Sequence, residues 1–253
     1  MLAKNRLPDQ VDVAYGPQAI ISRFILQGDR EARERGVYLS VEHDFEALIA
    51  FNKTQTETWY PMIPIFDPAH SELGPDNAFW IAGRNRDGDL ITVQCARLYD
   101  WRDTDFEREF ESLRFAYRDP DLERWPEECT FCNAPSGRRI SGMVCYSGGA
   151  WYYPDYRGMG LASIIPRLSR TIAYSRWNTD FTISVVEPVL VDKGVVARYG
   201  YTRVEEGIDW LNSFRGHMFN IRLIWMDRTE FLNDLVTQLT ESAEYQHQVS
   251  ARM

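Results

Sequence analysis

Tyr153-Pro154-Asp155-Tyr156-Arg157-Gly158-Met159-Gly160-Leu161-Ala162 joins a strand-like run, Met143 to Tyr153, to a helix-like run, Leu161 to Trp177. A strand, a glycine turn and a helix N-terminus together make an anion site. The first N–H groups of a helix have no partner inside it, and the peptide dipoles add partial positive charge at that end. Gly158 and Gly160 carry no Cβ, so a phosphate can approach the main chain closely. A pyrophosphate is the natural ligand. Neither of two other glycine-rich phosphate loops fits. The chain has no Gly-x-x-x-x-Gly-Lys-Ser/Thr, and Gly-x-Gly-x-x-Gly fails to close because position 163 is Ser.

Arg157-x-x-Gly160-x-Ala162, with its lead-in Pro154-Asp155-Tyr156, resembles the Arg/Gln-x-x-Gly-x-Gly/Ala signature of the GNAT superfamily of acyl-CoA N-acyltransferases. The resemblance implies that residues 158–163 hold the pyrophosphate of acetyl-CoA or another acyl-CoA as co-substrate. It also implies that the main chain of Trp151, Tyr152 and Tyr153 faces the pantetheine arm. The cofactor-binding candidates are therefore Trp151, Tyr152, Tyr153, Arg157, Gly158, Met159, Gly160, Leu161, Ala162 and Ser163. Arg157 reads either as a phosphate ligand or as a surface cap.

Outside this stretch the pattern is α/β. Val37–Val41 reads as a strand, residues 44–59 as a helix, and Ala78–Arg84 with Leu90–Tyr99 as a hairpin turned at Asp87-Gly88. Residues 103–125 read as helical and 126–139 as a loop. A long strand follows, from Ile140 to Tyr153, interrupted at Gly148-Gly149, where paired glycines point to a bulge. Leu161, Ile164, Ile165, Leu168 and Ile172 recur at one helix face, with Pro166 inside the run. Phe181–Val186 is strand-like and Val189–Tyr199 reads as a helix capped by Gly200. Two more strands and a C-terminal amphipathic helix follow.

This order resembles the GNAT arrangement, a mixed, mainly antiparallel sheet flanked by helices. The family's fourth strand is bulged and splays from the fifth, and the acyl-pantetheine arm lies in the gap. The domain reading is an N-terminal extension over 1–36, a GNAT-like domain over 37–226 with a long insertion at 100–139 before the fourth strand, and a C-terminal helix over 227–253. Arg198-Tyr199-Gly200-Tyr201 resembles a second family element, Lys/Arg-x-Gly-Phe.

Composition narrows the function classes. The chain has 253 residues, 44% hydrophobic and 26% charged, as expected of a globular protein with a real core. Its net charge of −9 argues against nucleic acid and is compatible with a cationic amine. No apolar run approaches a membrane span and no signal peptide is visible, so the expected compartment is cytoplasmic. Homo-oligomerisation is compatible with the sequence. The four cysteines make no disulfide framework. Cys129-Thr-Phe-Cys132 has ligand spacing but no second pair, so no metal is expected.

Acyl transfer to an amine needs a base, an oxyanion donor, a proton for the leaving thiolate and alignment of the two substrates. Glu187, at a strand end, is the candidate base; solvation alone also accounts for a carboxylate there. The resemblance puts the thiolate's acid on a Tyr four residues before Gly200, but Val196 stands there, and Tyr199, one residue before the glycine, points elsewhere on a helix. His217 has a useful pKa range, although a lone strand histidine is more often structural. Cys145 reads as a small buried hydrophobe. Three readings follow. The first is an N-acetyltransferase acting on an amine by direct attack. The second is an enzyme of the N-acyl amino acid synthase kind, with longer acyl chains. The third is a non-catalytic CoA-binding module, supported by Val196. The partners implied are acyl-CoA and an amine acceptor.

Overall fold

A computed structural model describes residues 6–213 and 216–250, without the side chains of 217–219 and 243–250. One eight-stranded sheet organises the chain. Its strands are β1 (Tyr38–Glu42), β2 (Ala78–Arg84), β3 (Leu90–Trp101), β4 (Cys129–Cys132), β5 (Gly142–Tyr152), β6 (Phe181–Val186), β7 (Arg203–Ser213) and β8 (Gly216–Asp227), in the spatial order β1-β2-β3-β5-β6-β8-β7-β4. Every pairing is antiparallel except β5–β6. The fold is therefore mixed α/β and mainly antiparallel, as the pattern predicts.

The helices are α1 (Gln18–Glu34), α2 (Phe45–Asn52), α3 (Phe106–Glu111), α4 (Pro120–Glu123), α5 (Leu161–Trp177), α6 (Pro188–Asp192), α7 (Val195–Arg198) and α8 (Arg228–Ser250). Local chemistry sets their ends. The Asp44 side chain accepts from Ala47 N (2.9 Å) and caps α2, and Asp105 accepts from Arg108 N (3.0 Å) and caps α3. Asp227 and Glu230 exchange bonds of 2.9 and 3.0 Å, a capping box that starts α8. Between β2 and β3, Asn85 Oδ1 accepts from both Asp87 N and Asp89 N, fixing the hairpin turn.

The sheet buries a core on each face. On one face Ile164, Ile165, Leu168 and Ile172 of α5 pack with Ile21 and Ile25 of α1 and Phe231 and Leu235 of α8. Each such side chain contributes about 1.5–3 kcal/mol by leaving water. The segment expected to be an N-terminal extension is thus part of this layer: Leu7 is fully buried and α1 lies along α5. The opposite face carries an aromatic core that joins Trp80, Tyr146, Trp151, Trp210 and Trp225 to Phe106, Phe110 and Phe115 from the β3–β5 insertion.

Several expected elements differ. The helix over 44–59 stops at Asn52, whose side chain turns back to bond Tyr60 O and Met62 N (both 2.9 Å). Residues 103–125 form only the short α3 and α4, because Leu113 adopts φ 62° and Pro120 restarts the chain. The 126–139 loop contains β4, paired to β7 at the sheet edge. The helix over 189–199 is two pieces, α6 and α7, broken at Gly194 (φ 66°).

Candidate active site

β5 and β6 pair only at Val144–Phe181, Cys145–Thr182 and Tyr146–Ile183, although β5 continues to Tyr152 and β6 to Val186. The strands separate beyond Tyr146, as the resemblance implies. On its other side β5 keeps its pairing with β3, but the register shifts: Cys95 faces Gly148 and Val93 faces Trp151, so Gly149 and Ala150 share the place opposite Gln94. Gly149 has φ 60°, and a Cβ there would lie 3.1 Å from Cys95 Sγ; at Gly148 a Cβ would come within 2.7 Å of the Tyr146 ring. Both glycines of the expected bulge are thus required by close approach. Bulge and splay together open a cleft of about 380 Å³ that passes from the α5 face to the aromatic face.

At one end lies the glycine loop. Gly158 and Gly160 have φ 80° and 78°, and Gly160 is the N-cap of α5 without a side-chain cap. Ser163 N bonds Gly160 O at 3.1 Å. Among the described residues, the N–H groups of Gly158, Met159, Gly160, Leu161 and Ala162 have no acceptor outside the helix, and the first turn offers them none inside it. They form an anion cradle at the positive end of a 17-residue helix.

Two arginines stand near the loop, Arg157 and Arg35. Arg157 donates from Nε to Tyr152 O (3.0 Å) and from Nη2 to Thr58 O (3.1 Å), so it straps the end of β5 to the 58–65 segment. Arg35, at the C-cap of α1, donates from Nε to Met159 O at 2.8 Å. Its guanidinium lies 3.6–3.7 Å from where a Gly160 Cβ would stand. No local signal in the sequence links Arg35 to a loop far along the chain.

The three β5 candidates divide. Tyr153 N–H bonds Ile91 O (2.8 Å) and Tyr153 O accepts from Tyr156 N (2.9 Å), so both of its main-chain groups have partners within the protein. Trp151 is buried on the aromatic face, its indole N–H bonded to Thr58 Oγ1 (3.3 Å). Tyr152 is carried to the α5 face, and its buried hydroxyl has no hydrogen-bond partner. From Ser147 onward the β5 edge facing β6 has no strand partner, and it is this edge that a ligand can bond.

The inner end of the cleft holds phenols that sequence reasoning missed. Tyr199 and Tyr201 both line it. Tyr199, the C-cap of α7, does not point away: it lines the cleft, whereas Val196 does not. Two buried arginines of α5 hold the turn. Arg167 is bidentate to Asp234 of α8 and donates to Ser163 O (2.9 Å) and Arg198 O (2.7 Å). Arg170 donates to Tyr199 O and stacks on the Tyr201 ring, 4.6 Å from its centre. Gly200 has φ 89°, and a Cβ there would meet Arg167 at 2.6 Å.

The Tyr201 hydroxyl faces Ser147 and Arg170 without a hydrogen bond of ordinary geometry. Burial pushes its pKa up to about 12, with the Arg170 cation pulling the other way. Burial also raises Tyr152, helped by the neighbouring Tyr199 phenol, and raises Tyr199 itself. All three are protonated at neutral pH and can donate. Buried Gln94 gives its amide N–H to Ser147 Oγ and Gly148 O (both 3.1 Å), leaving its carbonyl oxygen without a partner. Cys145 is fully buried and its thiol is pushed up to about 12 by burial, as an inert hydrophobe's would be.

Glu187 lines the cleft beside Val185 and Leu190. The His217 side chain lies outside the described residues. Cys129 and Cys132 stand three apart on β4, hence on opposite faces, and are differently buried. No described helix is long and apolar enough to cross a membrane.

No protein-family model matches the chain, and no curated protein matches its sequence. Among solved structures it is similar to the spermidine/spermine N-acetyltransferase SpeG of Vibrio cholerae, at 9% identity and a TM-score of 0.44, over 79% of this chain and 98% of that one. It is similar to Arabidopsis thaliana NAA60, solved with acetyl-CoA, at 14% identity and a TM-score of 0.44, over 76% and 99% of the two chains. The ribosomal-protein-S5-alanine acetyltransferase of Vibrio fischeri gives 11% identity and a TM-score of 0.44, over 76% and 93%. At these scores the likeness is one of broad outline. The functional reading stands on the geometry of the cleft.

Proposed function

We propose that the protein is an acyl-CoA-dependent N-acyltransferase that passes an acetyl group from acetyl-CoA to an amine by direct attack. The observation that carries this reading is the continuity of the glycine cradle, the unpaired β5 edge and the through-sheet cleft. The cradle N–H groups suit the pyrophosphate, with Arg35 adding charge. The free edge of β5 suits an arm that carries its own amide groups. Beside the bulge, the same edge offers main-chain N–H groups to the thioester oxygen as charge develops there.

The amine attacks the acyl carbon, and its nitrogen passes a proton to Glu187. The C–S bond then breaks. The leaving thiolate takes a proton from a phenol at the inner end of the cleft, for which Tyr201 is the assigned donor. Arg170, stacked on that ring, stabilises the tyrosinate until a proton returns from solvent. Val196, the residue that favours a non-catalytic module, therefore does not leave the cleft without an acid. The free thiols, two of them fully buried, fit the cytoplasm.

Two measurements test the proposal. Calorimetry should show one acetyl-CoA site per chain, and a thiol-release assay across an amine panel should show turnover. Binding without turnover on any amine would favour the module instead, and no binding would refute both.

A further inference from the structure

The two mouths of the cleft differ in kind. Side chains alternate along β6: Ile183 and Val185 pack with the aromatic core, and Val186 with the α5 core. The pyrophosphate cradle, Tyr152 and Tyr201 belong to the α5 side. On the opposite side the wall is Trp59, Met62, Ile65, Trp151 and Trp210. Trp59 and Trp151 are stacked, with ring centroids 5.1 Å apart and planes at 15°. Tyr60, 66% exposed, forms part of the rim.

This wall is built and held. Asn52 fixes Tyr60 O and Met62 N, Arg157 holds Thr58 O, and Trp151 bonds Thr58 Oγ1. Among the described residues lining the cleft, Glu187 is the only carboxylate. It follows Val185 by two in extended backbone, so alternation carries it to the aromatic side.

The acidic insertion does not change this count. None of residues 100–139 lines the cleft. Glu107, Glu109 and Glu123 are paired to Arg138, Arg114 and Arg118. Glu128, buried behind the wall, accepts from Trp210 Nε1 (2.6 Å) and Tyr117 OH (3.2 Å). The insertion supports the aromatic wall from behind, and none of its carboxylates lines the cleft.

We propose that the aromatic side of the cleft takes a monoamine with an apolar, aromatic body, its nitrogen beside Glu187 and its ring against Trp59 and Trp151, and that it rejects polycations. The inference rests on the acyl-CoA reading. One carboxylate can compensate one ammonium; each further charge of a polyamine would enter an apolar wall unpaired. A ring gains from the offset contacts that aromatic pairs prefer.

The experiment has two stages. Calorimetry with acetyl-CoA tests the parent reading by itself. With acetyl-CoA bound, 2-phenylethylamine, spermidine and lysine are compared by thiol release. The expected result is a kcat/KM at least tenfold higher for 2-phenylethylamine than for either polar amine. Trp59→Ala should raise the 2-phenylethylamine KM about tenfold and leave that of acetyl-CoA unchanged. If no amine turns over, binding of 2-phenylethylamine to the CoA-loaded protein is followed by tryptophan fluorescence, and quenching lost in Trp59→Ala supports the site. Acetyl-CoA binding with a preference for spermidine, or no quenching at millimolar amine, overturns the proposal. So does a Trp59→Ala variant that loses only octanoyl-CoA affinity.

Discussion

Replacing Gly160 by Asp puts a carboxylate at the N-cap of α5, where the pyrophosphate is proposed to sit. The loop is exposed, so the repulsion belongs at the high-dielectric end. One charge pair about 5 Å apart then costs about 0.8 kcal/mol, and two phosphate charges about 1.7 kcal/mol. That is about a twentyfold loss of acetyl-CoA affinity. Arg35 adds to the loss, because its guanidinium lies 3.6 Å from the new Cβ and would turn to the aspartate instead of the phosphate. Gly160→Ala separates charge from backbone. Its Cβ meets nothing closer than Arg35, but φ 78° is left-handed and costs about 1–2 kcal/mol. That cost falls on the fold, as a Tm drop of about 2–8 °C, with a smaller loss of affinity. Calorimetry with acetyl-CoA, alongside circular dichroism, reads both. Raising salt should recover part of the Gly160→Asp deficit, since the Debye length shrinks to about 3 Å at 1 M. A folded Gly160→Asp protein with wild-type affinity would refute the cradle. Equal damage from Ala and Asp would refute the electrostatic argument.

Arg35→Ala should weaken acetyl-CoA binding about two- to fivefold, as expected for a half-exposed ion contact, and leave the acceptor KM unchanged; titrations at two salt concentrations check it. Tyr201→Phe should lower kcat by about 100-fold without moving the acetyl-CoA Kd, whereas Tyr199→Phe should do less; the reverse ranking would transfer the acid to Tyr199. Arg167→Met removes the bidentate partner of Asp234 and the donor to two carbonyls, leaving Asp234 only the longer contact to Arg170, and should destabilise the fold by about 2–4 kcal/mol in urea melts. Stability should fall at alkaline pH. Tyr99 and Tyr201 are raised from 10 to about 12 and Cys145 from 9 to about 12, so the fold favours their protonated forms. Their contribution is whole below pH 9 and is lost as pH rises toward 12, at about 1.4 kcal/mol per unit for each group. Melts from pH 7 to 11 should show a flat Tm and then a steep descent, shallower in Tyr99→Phe.

What sequence made legible was local. The 158–163 loop, the buried face of α5, the Asn85–Asp89 turn and the glycine bulge each announce themselves within one or two turns of chain, because backbone conformation and periodicity are near-neighbour properties. The misreadings are local conflicts resolved by tertiary contacts. Cys129–Cys132 becomes a strand because β7 offers an edge to pair with. The chain after Asn52 leaves the helix because the Asn52 side chain bonds Tyr60 and Met62 instead.

The parts of the site that escaped are those assembled across the chain. Arg35 reaches the cradle only because α1 lies along α5. Tyr199 and Tyr201 face the cleft because Arg167 and Arg170, a helix away in sequence, hold their turn. Val196, four residues before Gly200, is not among the residues that line the cleft, whereas Tyr199 and Tyr201 are. A proton donor is chosen by where its oxygen lies, not by its place in a motif. Val196 is therefore weak evidence against catalysis in a cleft that already holds three raised, protonated phenols. Arg170 supplies the asymmetry among them. It is fully buried and shares Asp234 with Arg167, two cations on one carboxylate, so positive charge is left beside Tyr201. Of the three phenols, Tyr201 is the one whose anion the fold is built to receive.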